Sequence, residues 1–325
     1  MKKLFLLIAL MGIVATGCDY FLEEDYSDNN EIWYTTTDGL IEVPSKYAYT
    51  AFGANILSNE YYGSYGIIKF DDKVTQISTG AFANCKFLKS IKLPNSVTYI
   101  GGSAFADCVS LESIELPNSV TRIEMAFHGC TSLTTITIPN SVTTIGSSAF
   151  SGCDGLTSIT IPDSVTSMGD YAFTGCKSLA SVTIGNSVTE TGAYAFKGCT
   201  SLTRITIGNS VTSIGTYAFE GCTSLTTITI PNSVTTISSS AFEDCTSLTT
   251  ITIPNSVTRI GSWAFRYCSS LKTVYCKPIL PPSGALMFSN VASGLKIYVP
   301  RNSVNRYKSA DGWKDYADKI VGYDF

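Results

Sequence analysis

Hydrophobic residues recur at a fixed spacing through most of this chain. Between Gly80 and Cys276, one phenylalanine follows another after 23 residues seven times and after 22 residues once. The nine members are Phe82, Phe105, Phe127, Phe150, Phe173, Phe196, Phe219, Phe242 and Phe265. Other apolar residues keep fixed offsets, and around Phe219 these are Ala218, Cys222, Leu225, Ile228, Ile230, Val234 and Ile237. The repeat predicts a stack of nine similar turns, because one copy buries too little apolar surface to offset the conformational entropy it loses.

The alternation of apolar and polar residues in LTTITI, residues 225–230, predicts a short strand in every copy. Ile228 and Ile230 then point inward, and the threonines beside them point outward. Each strand pairs with its equivalent one copy away, so the pairings are parallel and in register and the copies form a solenoid.

Two turns complete each predicted rung. Residues 231–233, PNS, end the first strand, because proline lacks the N–H that a strand donates. Residues 234–237 predict a second short strand, and residues 239–245 predict a helical turn or an irregular corner. One copy is shorter, since three residues separate Ile123 from Phe127 whereas four separate Ile145 from Phe150. We expect a tighter corner in that copy.

The repeated pattern LxxIxI(P/G)xSVxxIGxxAFxxC, residues 79–277, resembles the BspA-like, or Treponema-type, leucine-rich repeats of bacterial surface proteins. The resemblance implies a β-rich leucine-rich-repeat solenoid of about nine 23-residue rungs, with short parallel strands and a helical turn or corner in each rung. A solenoid of this kind needs a cap over its first and last rungs.

Both ends of the repeat region supply candidate caps. Residues 32–78 form the predicted N-terminal cap, which contains half a repeat at residues 68–77 and opens with IWYTTTDG, similar to the cap of BspA-like relatives. Residues 278–325 form the predicted C-terminal cap, with Trp313 and several tyrosines covering the last rung. Within it we expect a strand at 295–299, a helix that begins after Asn302 or Ser303 and ends near Lys308, and a short helix at 315–320.

Residues 1–17 have the features of a signal peptide. Lys2 and Lys3 precede an apolar stretch and then the small residues Ala15, Thr16 and Gly17. Cys18 follows directly, and this arrangement resembles the lipobox of bacterial lipoproteins, which implies that Cys18 is lipidated. The alternative is an ordinary secretory signal followed by a coincidental cysteine.

The acidic residues 18–31 predict a lipidated tether and resemble the segment that follows the lipidated cysteine in surface-exported lipoproteins of Bacteroidetes. We therefore expect a cell-surface protein anchored in the outer membrane through its N-terminal lipid only. The periplasmic face of that membrane is the alternative location.

Composition and charge exclude several function classes. The chain of 325 residues is 44% hydrophobic and 15% charged, and its net charge of −4 gives no basic footprint for nucleic acid. The only histidine, His128, leaves no second candidate for a Ser/His or Cys/His catalytic arrangement, and no glycine-rich phosphate loop is present. The sequence thus predicts a protein that is not an enzyme and has no cofactor.

Nine of the eleven cysteines share one offset in the repeat and form a predicted structural ladder. They are Cys85, Cys108, Cys130, Cys153, Cys176, Cys199, Cys222, Cys245 and Cys268. Rungs about 4.8 Å apart place neighbouring cysteines within disulfide reach, so geometry permits pairing. We favour buried free thiols, because each cysteine would have two equivalent neighbours and one would remain unpaired. The ladder offers no second type of ligand, so no metal site is predicted.

The residue before each Ala-Phe pair varies and supplies candidate binding residues. It is Tyr171, Tyr194 and Tyr217 in three successive copies and, after Ser240, Trp263. Stacked rungs would make a row of these rings, which either pack on each other for stability or form an aromatic strip that contacts a protein or glycan.

A second variable position lies on the outward face of the first strand. Arg204 stands there where threonine or serine otherwise prevails. The outward threonines resemble the arrays of ice-binding solenoids, but Ser158, Ser181 and Arg204 interrupt them, and threonine is a common exposed strand residue. The copies with tyrosine also carry Gly185 and Gly208 in place of proline.

The resemblance implies adhesion, in which a monomer presents a repeat surface to host matrix proteins or to other bacteria. Two alternatives remain open: a glycan-binding accessory lipoprotein and a passive structural spacer.

Overall fold

The computed structural model describes residues 29–42, 44 and 51–325, and these residues form a β-solenoid with short parallel strands and little helix. The predicted solenoid of leucine-rich repeats is confirmed. Within the described residues, no helix is long and apolar enough to cross a lipid bilayer.

The LxxIxI segments build the first side of the solenoid. Its strands are β5 (Leu88–Lys92), β7 (Ser113–Glu115), β10 (Ser158–Ile161), β12 (Ser181–Ile184), β13 (Arg204–Thr206), β15 (Thr227–Thr229), β17 (Thr250–Ile253) and β19 (Thr273–Cys276). Each register advances by one copy, as in Ile228 opposite Ile251. The isoleucines are buried and the intervening threonines lie outward, as the alternation predicts.

The SVxxI segments build a second side from two-residue strands. They are β4 (Gln76–Ile77), β6 (Tyr99–Ile100), β8 (Arg122–Ile123), β9 (Thr144–Ile145), β11 (Ser167–Met168), β14 (Ser213–Ile214), β16 (Thr236–Ile237) and β18 (Arg259–Ile260). Between β11 and β14 the ladder continues only as a bridge of Glu190 with Ser213, where Thr191 replaces the core isoleucine. Thr191 is buried, and its hydroxyl accepts a hydrogen bond of 2.8 Å from the Gly215 amide.

A third side, made of turns without α-helix, carries the phenylalanines. Their rings stack in parallel, with centroids 5.2–5.5 Å apart and interplanar angles of at most 10°. The stack includes Phe288, so the described solenoid runs one rung beyond the nine that the sequence predicts. In that rung Val291 stands at the offset that cysteine occupies elsewhere. The consensus cysteine is therefore missing, but the position remains apolar.

The shortened copy has the tighter corner that its length predicts. The Ala126 amide donates to the carbonyl of Glu124 at 2.6 Å, two residues back, whereas the Ala149 amide reaches three residues back to Gly146. One residue fewer therefore closes a smaller turn without displacing Phe127 from the stack.

Ten cysteines lie in the described residues, and all are buried free thiols. In eight of them Sγ lies 3.0–3.3 Å from the carbonyl oxygen of the phenylalanine in the preceding rung. Each of these thiols donates a hydrogen bond between rungs, so the cysteine ladder joins successive turns without a covalent bond.

The N-terminal cap differs in part from the predicted half repeat. It contains β1 (Glu31–Thr36), β2 (Ile56–Tyr61) and β3 (Gly66–Phe70). The second half of the predicted repeat holds, because β4 pairs in parallel with β6. Its first half also forms a strand, β3, in which Ile68 and Phe70 are buried, but β1 lies between β3 and β5 and runs antiparallel to both. On the first side, β1 thus separates β3 from β5, and parallel pairing begins there with β5 and β7.

The C-terminal cap continues the first side through β20 (Lys296–Pro300) and β21 (Ile320–Tyr323), both parallel. The helix α1 (Val304–Ser309) lies as predicted. The short helix predicted at 315–320 is wrong: a 3-10 turn (Lys314–Tyr316) precedes β21, because Ile320 pairs with Ile297, which is 23 residues earlier. Trp313 is fully buried and donates to the Pro282 carbonyl at 2.7 Å, so it closes the core as expected.

Candidate functional site

Three tyrosines form a continuous stack on the third side of the solenoid. The ring centroids of Tyr171 and Tyr194 are 4.6 Å apart and those of Tyr194 and Tyr217 are 4.8 Å apart, with interplanar angles of 3° and 12°. Tyr171, at the N-terminal end of the row, is 42% exposed. The structure therefore brings together three of the predicted binding residues, and we call them the tyrosine row.

An ion pair lies against the tyrosine row. Lys197 Nζ is 5.5 Å from the ring centroid of Tyr194 and 5.7 Å from that of Tyr217, and it also lies 2.9 Å from a Glu220 carboxylate oxygen. The contact with Glu220 is the main cause that raises the pKa of Lys197. Desolvation, followed by the neighbouring tyrosines, raises the pKa of Tyr194. The row thus presents two of its rings, Tyr194 and Tyr217, to an ammonium group that is held by Glu220.

Trp263 occupies the next-but-one rung at the same offset, beyond the fully buried Ser240. It contacts Arg266 rather than Tyr217: the guanidinium carbon lies 5.6 Å from the Trp263 ring centroid and 4.4 Å from that of Tyr267. Arg266 also donates to Glu243 at 3.2 Å and to the Tyr267 hydroxyl at 2.7 Å. Trp263 and Tyr267 are 40% and 37% exposed, so two held aromatic rings face solvent here.

Sequence reasoning missed Tyr267 and Arg266, although Tyr267 carries a detectable signal. Its offset has a positive φ in every rung, and nine other copies fill it with glycine, asparagine or aspartate, which tolerate that conformation. These are Asn84, Asp107, Gly129, Gly152, Gly175, Gly198, Gly221, Asp244 and Asn290. A tyrosine at φ 58° is therefore the exception in its row.

Arg204 lies apart from the tyrosine row. It is exposed on β13, opposite Ser181 of β12, whereas the tyrosines lie in the turns of the third side. The predicted candidates thus divide between two sides of the rung, with Arg204 on one and the four aromatic residues on the other.

Gly185 and Gly208 line an open groove of about 770 Å³ at the ends of β10, β12 and β13. A Cβ at Gly208 would lie 2.1 Å from the Gly185 carbonyl oxygen, so close backbone contact explains the glycines. A ladder of side chains runs along the groove: Asp163 accepts from the Asn186 amide at 2.6 Å, and Asn186 accepts from the Asn209 amide at 3.0 Å. The groove is polar, and its polar groups are largely bonded to the next rung.

The remaining candidates offer little chemistry. No group of three or more histidine, cysteine, aspartate or glutamate side chains within the described residues is arranged to hold a metal ion. His128 is half-buried, and its Nδ1 has no hydrogen-bond partner among the described residues. Cys18, the predicted lipidation site, lies outside the described residues.

The comparisons with known proteins agree with the repeat. The model of the BspA type leucine rich repeat region matches residues 54–154, 124–212 and 189–310. A search of curated proteins found no match.

Solved structures similar to this chain are bacterial leucine-rich repeat proteins. The T. pallidum leucine rich repeat protein is 37% identical, with 48% of this chain and 73% of that chain covered and a TM-score of 0.45. A leucine-rich repeat protein from Bacteroides ovatus is 25% identical, with 93% and 100% covered and a TM-score of 0.35. A leucine rich cell surface protein from Faecalibacterium prausnitzii is 26% identical, with 67% and 86% covered and a TM-score of 0.31. From the family match, which spans most of the repeat region, the chain belongs to the BspA-type leucine-rich repeat family.

Proposed function

We propose that this protein is a non-catalytic adhesion protein of the cell surface that binds host matrix proteins or proteins of other cells through the tyrosine row. The observation that carries the proposal is the stack of Tyr171, Tyr194 and Tyr217 around the Lys197–Glu220 ion pair. Tyrosine is enriched in protein interfaces because it offers a large contact area at a low cost in side-chain entropy.

Preorganisation supports the same proposal. Stacking fixes the three rings, and Lys197 is held by Glu220 and by two ring faces. A partner that binds this surface would therefore lose little additional side-chain entropy. The row spans three consecutive rungs, so one partner segment would contact all three rings.

The test is a triple variant in which Tyr171, Tyr194 and Tyr217 are each replaced by serine, the residue found at this offset in Ser103 and Ser148. Wild type and variant are compared for binding to a panel of immobilised matrix proteins and to a glycan array. We expect the variant to lose protein binding while its thermal midpoint changes little, because the rings leave no internal cavity.

The matched control is Tyr275→Thr, which removes a stacked ring from the first side. Tyr275 stacks on Tyr298 at 5.2 Å, and the equivalent residue one rung earlier is Thr252. The control should retain binding. A large loss of stability in the triple variant, with binding per folded molecule intact, would assign the tyrosine row to structure instead.

The same panel separates the two other candidate functions. Binding to glycans alone would favour an accessory lipoprotein that captures glycans. Binding to neither class would favour a structural spacer.

The anchor is a separate part of the proposal. Cys18 would carry the lipid that holds the protein at the outer membrane, with the acidic segment after it as a tether. Cys18→Ser should release the protein from the membrane fraction, since an acyl anchor supplies the membrane affinity. Retention of the variant in membranes after a high-salt wash would contradict the lipoprotein assignment.

A further inference from the structure

An open cleft of about 360 Å³ lies where β18 ends, between the second and third sides of the solenoid. Arg259 lines it together with the hydroxyl-bearing Ser239, Ser262 and Ser283. The cleft is thus lined by one cation and three hydroxyl groups. The Ser283 hydroxyl already donates to the Thr258 carbonyl at 3.4 Å, so Arg259, Ser239 and Ser262 are the donors that can meet an oxyanion.

Two glycines keep the floor of this cleft free of side chains. A Cβ at Gly261 would lie 2.3 Å from the Ser239 amide nitrogen, and one at Gly284 would lie 2.3 Å from the Ile260 carbonyl oxygen. Both distances are far below van der Waals contact, so the backbone packing of the rungs excludes a side chain here. A ligand group that enters the cleft would reach the backbone and Arg259 directly.

The chain contains an occupied version of the same arrangement. Arg122 has the offset of Arg259 in an earlier copy, and its Nε and Nη2 donate to one oxygen of Glu124 at 3.1 Å and 2.7 Å. Glu124 stands where the Arg259 copy has Gly261, because Ile123-Glu124 corresponds to Ile260-Gly261. An arginine at this offset therefore binds a carboxylate when the chain supplies one.

Arg259 has no such internal carboxylate. Its guanidinium makes no ion pair or hydrogen bond with any residue that the structure describes, and the place of the carboxylate is taken by the open cleft. Arg259 is exposed, so its charge remains available to a group from outside the chain.

The neighbouring aromatic rings indicate what carries that carboxylate. Trp263 does not line the cleft itself but follows the cleft residue Ser262 directly, and its ring is exposed and held near Arg266. The C–H face of a sugar ring packs on an aromatic face, whose negative π density attracts the polarised hydrogens. Serine hydroxyls beside an arginine and an aromatic ring can meet the hydroxyls, the carboxylate and the apolar face of one acidic sugar.

We propose that the cleft at Arg259 binds the carboxylate of an acidic sugar, a uronic acid within an extracellular glycan, with Trp263 stacking against the ring. This site is on a different copy from the tyrosine row and does not depend on protein binding there. The triple tyrosine variant should therefore keep it.

The test uses titration calorimetry with a tetrasaccharide of alternating glucuronic acid and N-acetylglucosamine. Its counterpart with the carboxyl groups reduced to alcohols and an oligoglutamate peptide serve as the other probes. Wild type should bind the acidic tetrasaccharide at least roughly tenfold more tightly than the reduced one, because a hydrogen-bonded charge pair is lost on reduction.

Arg259→Gln should weaken binding of the acidic tetrasaccharide by a similar factor, whereas Arg122→Gln, the matched control, should leave it unchanged. Trp263→Ser should weaken binding of both tetrasaccharides. Equal losses in the two arginine variants would overturn the proposal, as would the absence of binding at millimolar concentration. Binding of oligoglutamate as tight as that of the tetrasaccharide, and independent of Trp263, would assign the cleft to protein carboxylates and would also overturn it.

Discussion

The buried phenylalanine and cysteine positions tolerate far fewer kinds of residue than the turn positions of the third side, although both recur in every rung. In the interior, the phenylalanine and cysteine offsets hold the same residue in nearly every copy, because stacked neighbours leave room for one shape only. At the two turn offsets with positive φ, the occupants range from Gly80 and Ser148 to Trp263 and Leu286. The backbone conformation is fixed there, but the outward side chain is not.

The difference between these regions separates stability from recognition. An interior residue is constrained by contacts with two neighbouring rungs, so a change in it is felt along the stack. An exposed turn residue must only tolerate a left-handed backbone, and bulky aromatic residues tolerate it less well than glycine or asparagine. Aromatic residues at these offsets are therefore candidates for contact with a partner.

Alkaline pH should produce the largest loss of stability, because it titrates the buried thiols of the interior. Burial raises the pKa of eight thiols, seven in the ladder and Cys276 in β19, four of them to about 12. The eight are Cys130, Cys153, Cys176, Cys199, Cys222, Cys245, Cys268 and Cys276. The unfolded chain releases these protons from about pH 9, whereas the folded chain keeps them, so the free energy of unfolding falls as pH rises above that value.

Each thiol contributes roughly 1.4 kcal/mol per pH unit, so the eight together contribute up to roughly 11 kcal/mol per pH unit. Urea unfolding between pH 7 and pH 11, with a reductant present, measures this slope. Replacing Cys199 and Cys222 by alanine together should reduce it by roughly 2.8 kcal/mol per pH unit. An unchanged slope in that double variant would mean that these thiols do not stay protonated in the folded state.

Removing one ring from the phenylalanine stack should lower the free energy of unfolding by less than deprotonation of the eight thiols does, but by more than any substitution at the surface. Phe196 is fully buried, with ring centroids of its neighbours at 5.4 Å and 5.5 Å. Phe196→Ala should lower the free energy of unfolding by roughly 3–5 kcal/mol, because the stack cannot collapse into the cavity. The denaturation midpoint measures it.

Cys199→Ala in the same rung is the matched control for this ring. It removes one hydrogen bond to Phe173 and should cost roughly 1 kcal/mol. Equal losses in the two variants would show that the cavity left by the ring destabilises the fold no more than one lost hydrogen bond does.

The repeat made the interior predictable, and the same reasoning explains where prediction failed. Phenylalanine spacing, strand alternation and the short copy near Phe127 each determine a local geometry, and the structure has all three. Phe288 escaped notice because Val291 replaces the cysteine of the consensus, and β21 escaped because the cap sequence resembles a helix. The 23-residue spacing of Ile297 and Ile320 was the available signal for β21.

The antiparallel β1 and the cleft at Arg259 had no comparable signal in the sequence. The position of β1 depends on pairing between segments more than 30 residues apart, as for Trp33 with Ile67. The cleft depends on which side chains the rung packing excludes, which becomes visible only when Gly261 and Gly284 have neighbours. Tertiary contacts determine both the position of β1 and the cleft, and the local sequence pattern predicts neither.

A third, smaller loss of stability is expected where the backbones of two neighbouring rungs lie in close contact, as at Gly208 and Gly185. Gly208→Ala would place a methyl group 2.1 Å from the Gly185 carbonyl oxygen, so the rung must shift. We expect a loss of roughly 1–3 kcal/mol, the usual range for overpacking. Gly102→Ala is the control, since nothing lies within 4 Å of its added Cβ, and it should cause no loss. Equal midpoints for both variants would show that neighbouring rungs shift to accommodate the added methyl group without loss of stability.

The smallest expected effect belongs to the turn row, and it tests the separation of stability from recognition directly. Tyr267→Asn places at φ 58° a residue that accepts the left-handed conformation, as Asn84 and Asn290 do at the same offset. The variant loses the Arg266 contact over the Tyr267 ring at 4.4 Å and the hydrogen bond of 2.7 Å to the hydroxyl. An exposed cation–π contact contributes roughly 0.5–1 kcal/mol and a hydrogen bond roughly 1 kcal/mol, whereas relief of the left-handed backbone returns roughly 1–2 kcal/mol. These contributions nearly cancel, so the thermal midpoint should stay close to that of wild type. A clear drop in the midpoint would instead make Tyr267 a structural residue like those of the interior. The distinction between the two regions would then fail at this rung, where Trp263 and Tyr267 are both exposed.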